Sequence, residues 1–105
     1  MLETSLTGTF RLTVRDDMPW STVVRAETPY SMIGIGVEES VDDAIQSSLT
    51  NLVDWMLKTP QCAAMSRVDC ECLCSIAADI AVTQVVNGST RGAHVKLQKE
   101  HLPPS

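Results

Sequence analysis

The sequence has 105 residues, of which 44% are hydrophobic and 20% are charged, proportions that are typical of one globular domain and exclude a disordered chain. Eight Lys and Arg residues against thirteen Asp and Glu residues give a net charge of −5, which disfavours nonspecific binding to nucleic acid or to an anionic membrane. The N-terminal residues lack a basic segment followed by an apolar one, and no apolar run approaches the ~18 residues of a membrane span, so we expect a cytoplasmic protein with a single domain over residues 1–105.

The first part of the chain is predicted to form a pair of strands. Apolar and polar residues alternate over residues 9–15, which is typical of a half-buried strand. Its apolar face carries Phe10, Leu12 and Val14. After a turn, residues 20–26 are predicted to form a second short strand that is able to pair with the first as a hairpin.

Two glycines distinguish the third predicted strand, which follows Thr28-Pro29. One face carries Ile33, Ile35 and Val37, and the other carries Met32, Gly34 and Gly36. Glycine weakens a strand unless another backbone must approach closely. We therefore expect a helix over the glycine face, with a partner chain as the alternative.

Two helices are predicted next, and each has a serine as its N-cap. The first begins after Ser40 and ends by Thr59, because the proline that follows cannot continue a helix. The second begins after Ser66 and runs to about Asp79 or Ile80.

A hairpin is predicted after the second helix. The β-branched run 82–86 predicts a strand, and Asn87-Gly88 supplies the turn. In the strand that follows, Ala93, Val95 and Leu97 alternate with His94, Lys96 and Gln98. Strands, two helices and a hairpin in this order predict an α+β fold, in which a mainly antiparallel sheet has both helices packed on one face.

The cysteines permit two interpretations. They are Cys62, Cys70, Cys72 and Cys74. Three of them fall within five residues, where neighbours are badly placed for disulfides, and a zinc site would take His94 or His101 as its fourth ligand. On a helix, however, Cys72 points away from Cys70 and Cys74, so the three cannot share one tetrahedral ion. We favour core filling over metal or redox chemistry.

Three polar residues are the candidate binding residues: Asp79, Gln84 and His94. Asp79 is expected at the end of a helix, where its charge meets the unfavourable end of the dipole. Gln84 is expected to be buried between Val82 and Val86, where its amide needs partners. His94 is expected on the open face of the hairpin. A purely structural or solvated role is the alternative that we favour for each, and no catalytic residue or metal ligand is predicted because no catalytic motif is present.

The stretch from the second helix to the hairpin contains a specific motif. The motif consists of Leu73-Cys74-Ser75-Ile76-Ala77-Ala78-Asp79, Val82-Thr83-Gln84-Val85-Val86-Asn87-Gly88 and Gly92-Ala93-His94. Four shorter segments precede it in the same order: Thr28-Pro29-Tyr30, Gly34-Ile35-Gly36, Ala44 and Asp54-Trp55-Met56-Leu57. These residues resemble the C-terminal segment of the acetamidase/formamidase family, and the resemblance spans about Phe10 to Lys99. It implies the fold of that segment for this chain.

The same resemblance implies two functional hypotheses. Family members hydrolyse formamide or short-chain amides with a bound divalent metal, and their metal ligands lie in a larger N-terminal portion that this sequence does not match. In the first hypothesis, which we favour, the chain is noncatalytic alone, needs no cofactor, and acts as an assembly or binding module for a small molecule or a protein. In the second, it is part of a split amidase, and a separate N-terminal portion binds the metal. Uncovered strand edges at residues 10–14 and 30–37 predict a homo-oligomer, in the first place a homodimer.

Overall fold

A computed structural model describes residues 3–17 and 24–104. The elements in chain order are β1 (Arg25–Glu27), β2 (Ser31–Glu38), α1 (Val41–Met56), α2 (Arg67–Ala77), β3 (Asp79–Gln84) and β4 (Arg91–Gln98), with short 3-10 helices at Pro60–Cys62 and Lys99–His101. The strands form one antiparallel sheet in the order β1-β2-β4-β3. This arrangement confirms the predicted α+β fold.

The core lies between the sheet and the helices. β2 and β4 are the central strands and pair along their whole length, from Ser31 opposite Gln98 to Glu38 opposite Arg91. The core cluster includes Met32, Leu52, Val53, Met56, Cys70, Cys74, Val95 and Leu97. Because residues of both helices pack with residues of β2 and β4 in this cluster, both helices lie on the same face of the sheet, as expected.

The glycine face of β2 is covered by α1, as predicted. A Cβ atom added to Gly34 would lie 2.7 Å from the backbone nitrogen of Leu52, and one added to Gly36 would lie 2.6 Å from that of Ser48. Real Cβ atoms do not come this close to backbone atoms. The two glycines are therefore what allows the helix to pack directly on the strand.

Both helices begin at the predicted caps. The hydroxyl of Ser40 accepts a hydrogen bond from the backbone N–H of Asp43 at 3.1 Å. Ser66 and Asp69 form a capping box, in which each side chain accepts a hydrogen bond from the backbone N–H of the other. α1 ends at Met56, before the proline, as expected. Within residues 3–17 and 24–104, neither helix has the length and apolar character that crossing a membrane requires.

The predicted strand over residues 9–15 is wrong. This segment, which we call the N-terminal arm, forms no strand, and Phe10, Leu12 and Val14 are 87%, 96% and 94% exposed. Alternation specifies which side chains share a face but supplies no partner. Of the predicted second strand, Arg25 and Ala26 lie in β1, and residues 20–23 lie outside the described part of the chain.

The boundary between α2 and β3 lies earlier than predicted. α2 ends at Ala77, Ala78 is extended, and β3 occupies Asp79–Gln84 rather than residues 82–86. The reason is that Asp79 and Ile80 pair with Lys96 and Val95 of β4, so sheet pairing replaces the last predicted helical turn. Asp79 consequently does not end a helix.

Candidate functional site

The candidate site lies on the open face of the sheet, which is the face that neither helix covers. Its position follows from the strand register, because residues directly opposite one another point to the same face. The residues on this face include Ile33 and Ile35 of β2, Gly92, His94 and Lys96 of β4, and Asp79, Ala81 and Gln84 of β3. Polar groups therefore lie beside an aliphatic surface contributed by β2.

His94 lies at the centre of this face. It is half-buried and alternates with Ala93 and Val95, which are fully buried on the helix side. The Oγ1 atom of Thr83 lies 2.7 Å from Nδ1 of His94. This hydrogen bond orients the imidazole ring and leaves its Nε2 atom to bind another group. The predicted position of His94 on the open face is confirmed.

Thr83 is a neighbour that the sequence reasoning missed. The β3–β4 register shifts between Val82 and Gln84, so Thr83 lies at a bulge and has no directly opposite residue on β4. An extra residue in a strand redirects side chains locally. At this bulge the hydroxyl group of Thr83 meets His94. The only sequence signal was Gly92, which faces the bulge across the strand pair.

Asp79 is the first residue of β3 and lies directly opposite Lys96. The side chain of Asp79 is exposed, whereas Lys96 is half-buried. The expected clash with a helix dipole is thus wrong, since the residue lies in a strand. Its carboxylate has a cation as its cross-strand neighbour, an arrangement that stabilises a sheet modestly.

Gln84 is the last residue of β3, and its predicted burial between two valines is wrong. Val82 is 47% exposed, and Val86 lies beyond the strand and is 64% exposed. Gln84 is half-buried opposite Gly92. The space that a Cβ atom of Gly92 would fill lies 3.1 Å from Cγ of Gln84, so the glycine makes room for this side chain.

The structure places the three candidate residues in a row and not in a cluster. Asp79 and Gln84 lie on β3, opposite Lys96 and Gly92, whereas His94 lies on β4 opposite Ala81, so the row is staggered across the two strands. Diagonal neighbours on adjacent strands are about 7–8 Å apart, which places Asp79 and Gln84 on either side of His94.

The cysteines do not join this row. Cys62, Cys70 and Cys74 are buried, Cys72 is exposed, and all of them are free thiols, so core filling is confirmed for three of the four. Burial raises the pKa of the Cys74 thiol to about 11, and its Sγ atom lies 3.6 Å from Sδ of Met56. No group of three or more His, Cys, Asp or Glu side chains within residues 3–17 and 24–104 is placed to hold a metal ion.

A separate cleft of about 270 Å³ lies at the other edge of the sheet, beside β1. Its lining includes Asp17, Glu27, Trp55, Lys58 and Lys99. Near it, the guanidinium carbon of Arg25 lies 4.6 Å from the centre of the Trp55 ring, a cation–π contact. The cleft is slightly smaller than the roughly 300 Å³ at which ligand pockets usually begin. It contains none of the three candidate residues.

Comparison with known proteins places this fold. No family model matches the sequence, and no curated protein sequence matches it either. The structure is similar to the crystal structure of an acetamidase from Bacillus halodurans, with a TM-score of 0.64 over 73% of this chain at 23% sequence identity. The chain has an acetamidase-like fold.

The match covers 25% of the acetamidase chain, so this sequence spans about a quarter of the length of that protein. Within the acetamidase-like fold, the motif recognised from the sequence occupies α2, β3 and the turn into β4. The resemblance noted from the sequence is therefore confirmed as a likeness of fold.

Proposed function

We propose that this chain is an acetamidase-like assembly or binding module that does not hydrolyse amides on its own. The observation that carries the proposal is the one-sided sheet. α1 and α2 cover one of its faces, and large apolar side chains of the described residues remain exposed: Val37 on the open face of β2, Ile80 and Val82 at the β3 edge of the helix side, and those of the N-terminal arm. Exposed apolar surface and unpaired strand edges are features of surfaces that bind other chains.

The assembly that we propose is a homo-oligomer, with the dimer first. A closed two-fold pair buries the same surface on both copies and is the commonest way to remove an exposed patch. We propose a single domain over residues 1–105 that acts in the cytoplasm. The free thiols in the described residues support that location, because cytosolic thiols stay reduced.

The row formed by Asp79, His94 and Gln84 is the proposed ligand surface of the module. Nε2 of His94 would bind a polar group of the ligand, the carboxylate of Asp79 would accept hydrogen bonds from it, and the amide of Gln84 would do either. The ligand class that fits is a small polar molecule, with the aliphatic side chains of Ile33 and Ile35 beside it. No catalytic role is assigned to these residues.

A split amidase is the second candidate, and the partial coverage of the acetamidase favours it. In this proposal a separate N-terminal portion supplies the three-quarters of the enzyme that this chain does not match, including the divalent metal site. The chain would then act on formamide or short-chain amides only within that complex.

One pair of measurements tests both candidates. The purified chain is expected to release no ammonia from formamide or acetamide above background, with or without added zinc, and light scattering over a dilution series is expected to show a dimer. Turnover that follows the protein through purification and is lost with a chelator would overturn the noncatalytic role. For the split enzyme, the chain is mixed with the Bacillus halodurans acetamidase from which the matching quarter has been removed. Complex formation with recovered acetamide hydrolysis would favour the second candidate.

A further inference from the structure

The N-terminal arm has the side-chain pattern of a strand but no strand beside it in the described part of the chain. Its apolar residues alternate with Arg11, Thr13 and Arg15, and every one of these side chains is exposed. The radius of gyration is 15.1 Å, whereas a compact chain of this length has about 13 Å. The arm therefore extends from the body of the protein instead of packing against it.

β3 offers the edge that such an arm would fit. It is the last strand in the sheet order, so one side of its backbone has no strand partner among the described residues. Ile80 and Val82 lie on the helix side of this strand, opposite buried residues of β4, yet they are 56% and 47% exposed. The helix layer stops short of the sheet edge and leaves them uncovered. β1, at the other edge, has three residues in the described part of the chain, whereas β3 has six.

The arm and the edge match in both alternation and charge. In a strand added to β3, one face of the arm would place Leu12 and its apolar neighbours beside Ile80 and Val82. The other face would place Arg11 on the side that carries the exposed carboxylate of Asp79. Residues 9–15 contain two arginines and no acidic residue, whereas β3 contains Asp79 and no basic residue. Opposite charges on neighbouring strands favour the pairing.

The position of the arm's base indicates whose β3 it meets. Asp17, just after the arm, lines the cleft beside β1 together with Glu27. β1 and β3 are at opposite edges of the sheet, three strand spacings or about 14 Å apart. To reach its own β3, the arm would have to cross the width of the sheet. A second copy related by a two-fold axis brings its β3 to the arm without any crossing.

We propose that residues 9–15 of one copy add as a fifth strand to the β3 edge of a second copy, and that the exchange is reciprocal. This inference rests on the proposed role in assembly and names the surface that performs it. Main-chain hydrogen bonds would supply affinity, and the alternating side chains would fix which face of the arm meets the helix layer. Each copy donates one arm and accepts one, so the assembly closes as a dimer.

Two adjacent substitutions in the arm test the proposal. Leu12→Ser removes the apolar contact, whereas Thr13→Ser changes the opposite face and is the matched control. By ultracentrifugation, we expect Leu12→Ser to weaken the dimer about a hundredfold or more, since two symmetric copies each lose a buried leucine. Thr13→Ser should stay within about twofold of the parent chain. Because Leu12 is 96% exposed, circular dichroism should show that the variant folds.

Cross-linking then identifies the contact itself. A chain with Leu12→Cys is mixed with a chain with Val82→Cys, both carrying Cys72→Ser to remove the exposed native thiol, and the mixture is oxidised with copper phenanthroline. Mass spectrometry is expected to find a disulfide between positions 12 and 82, and Thr13→Cys in place of Leu12→Cys should give far less. Disulfides that join only 82 to 82 would mean that two β3 edges pair directly and would overturn the role of the arm.

The outcomes separate this inference from the assembly function. A parent dimer that Leu12→Ser leaves intact would refute the arm exchange alone. A parent chain that stays monomeric at every concentration would refute both. A monomeric disulfide in the Leu12→Cys, Val82→Cys double variant would show that the arm pairs with its own β3, which also overturns the exchange.

Discussion

Gly36→Ala is expected to destabilise the fold, because Gly36 is where α1 comes closest to the sheet. The new methyl group would lie 2.6 Å from the backbone nitrogen of Ser48 and closer still to the carbonyl oxygen of Ala44. These atoms belong to a helical backbone that cannot rotate away as a side chain can. α1 must therefore move away from β2 by roughly 1 Å, a gap that loses about a quarter to a half of the van der Waals attraction of each contact it opens.

The size of the effect follows from two opposing contributions. Forcing a methyl group into a well-packed interface costs about 1–3 kcal/mol, and the upper value applies where backbone must move. Replacing glycine also restricts the unfolded chain, which returns about 0.5–1 kcal/mol. The expected net loss is about 2 kcal/mol in the free energy of unfolding. For a domain of this size, a loss of that magnitude lowers the melting temperature by about 8–16 °C.

Urea unfolding followed by circular dichroism measures this loss, and Gly92→Ala is the matched control. A methyl group on Gly92 would meet the flexible Cγ atom of Gln84 at 3.1 Å, so the side chain can shift and the cost should stay within about 0.5 kcal/mol. All proteins are compared at one concentration. Equal unfolding midpoints for Gly36→Ala and Gly92→Ala would mean that the glycine face does not govern helix packing.

Three further outcomes are expected. At pH 8 a thiol reagent should label Cys72 rapidly and the other cysteines only on unfolding, and fast labelling of Cys74 in the native protein would contradict its burial. The pKa of the Cys74 thiol is about 11 in the folded protein against an ordinary 9.0, so the unfolded chain loses this proton at lower pH. The free energy of unfolding should therefore fall as the pH rises from about 9 to about 11. In urea titrations, Cys74→Ala should show a shallower fall over this range. Ser66→Ala should lower the free energy of unfolding by about 1 kcal/mol in thermal unfolding, because it removes the capping box. Ser75 is an exposed position in the same helix, and Ser75→Ala should cost less. Equal losses for the two variants would argue against the cap.

Local signals in the sequence predicted much of the fold because their physical causes are local. A serine followed by an acidic residue satisfies the first N–H groups of a helix wherever the helix lies, and Ser66 with Asp69 behaves in this way. The two glycines of β2 predicted that a neighbouring backbone packs against that face, since glycine in a strand is favoured where another backbone approaches closely. Both predictions needed no knowledge of the rest of the molecule.

The candidate site was less predictable because it depends on strand register. His94 was placed on the correct face by alternation with Val95 alone. Its partner Thr83 depends on a bulge between β3 and β4, and a bulge changes the face of every residue beyond it. For the same reason the surroundings of Gln84 could not be derived from its neighbours in the chain. The pattern of the N-terminal arm likewise contained a strand's alternation but not the identity of its partner.

The pairing of β2 with β4 also governs the order in which the chain can fold. Ser31 and Gln98 share a hydrogen bond across 67 residues of sequence, so the centre of the sheet can form only after the chain has been synthesised through Gln98. The capped helices can form early from local interactions. The backbone groups of β2 that face β4 stay unpaired until β4 is present. Such nonlocal pairing slows folding, and the unpaired strand is a site for aggregation.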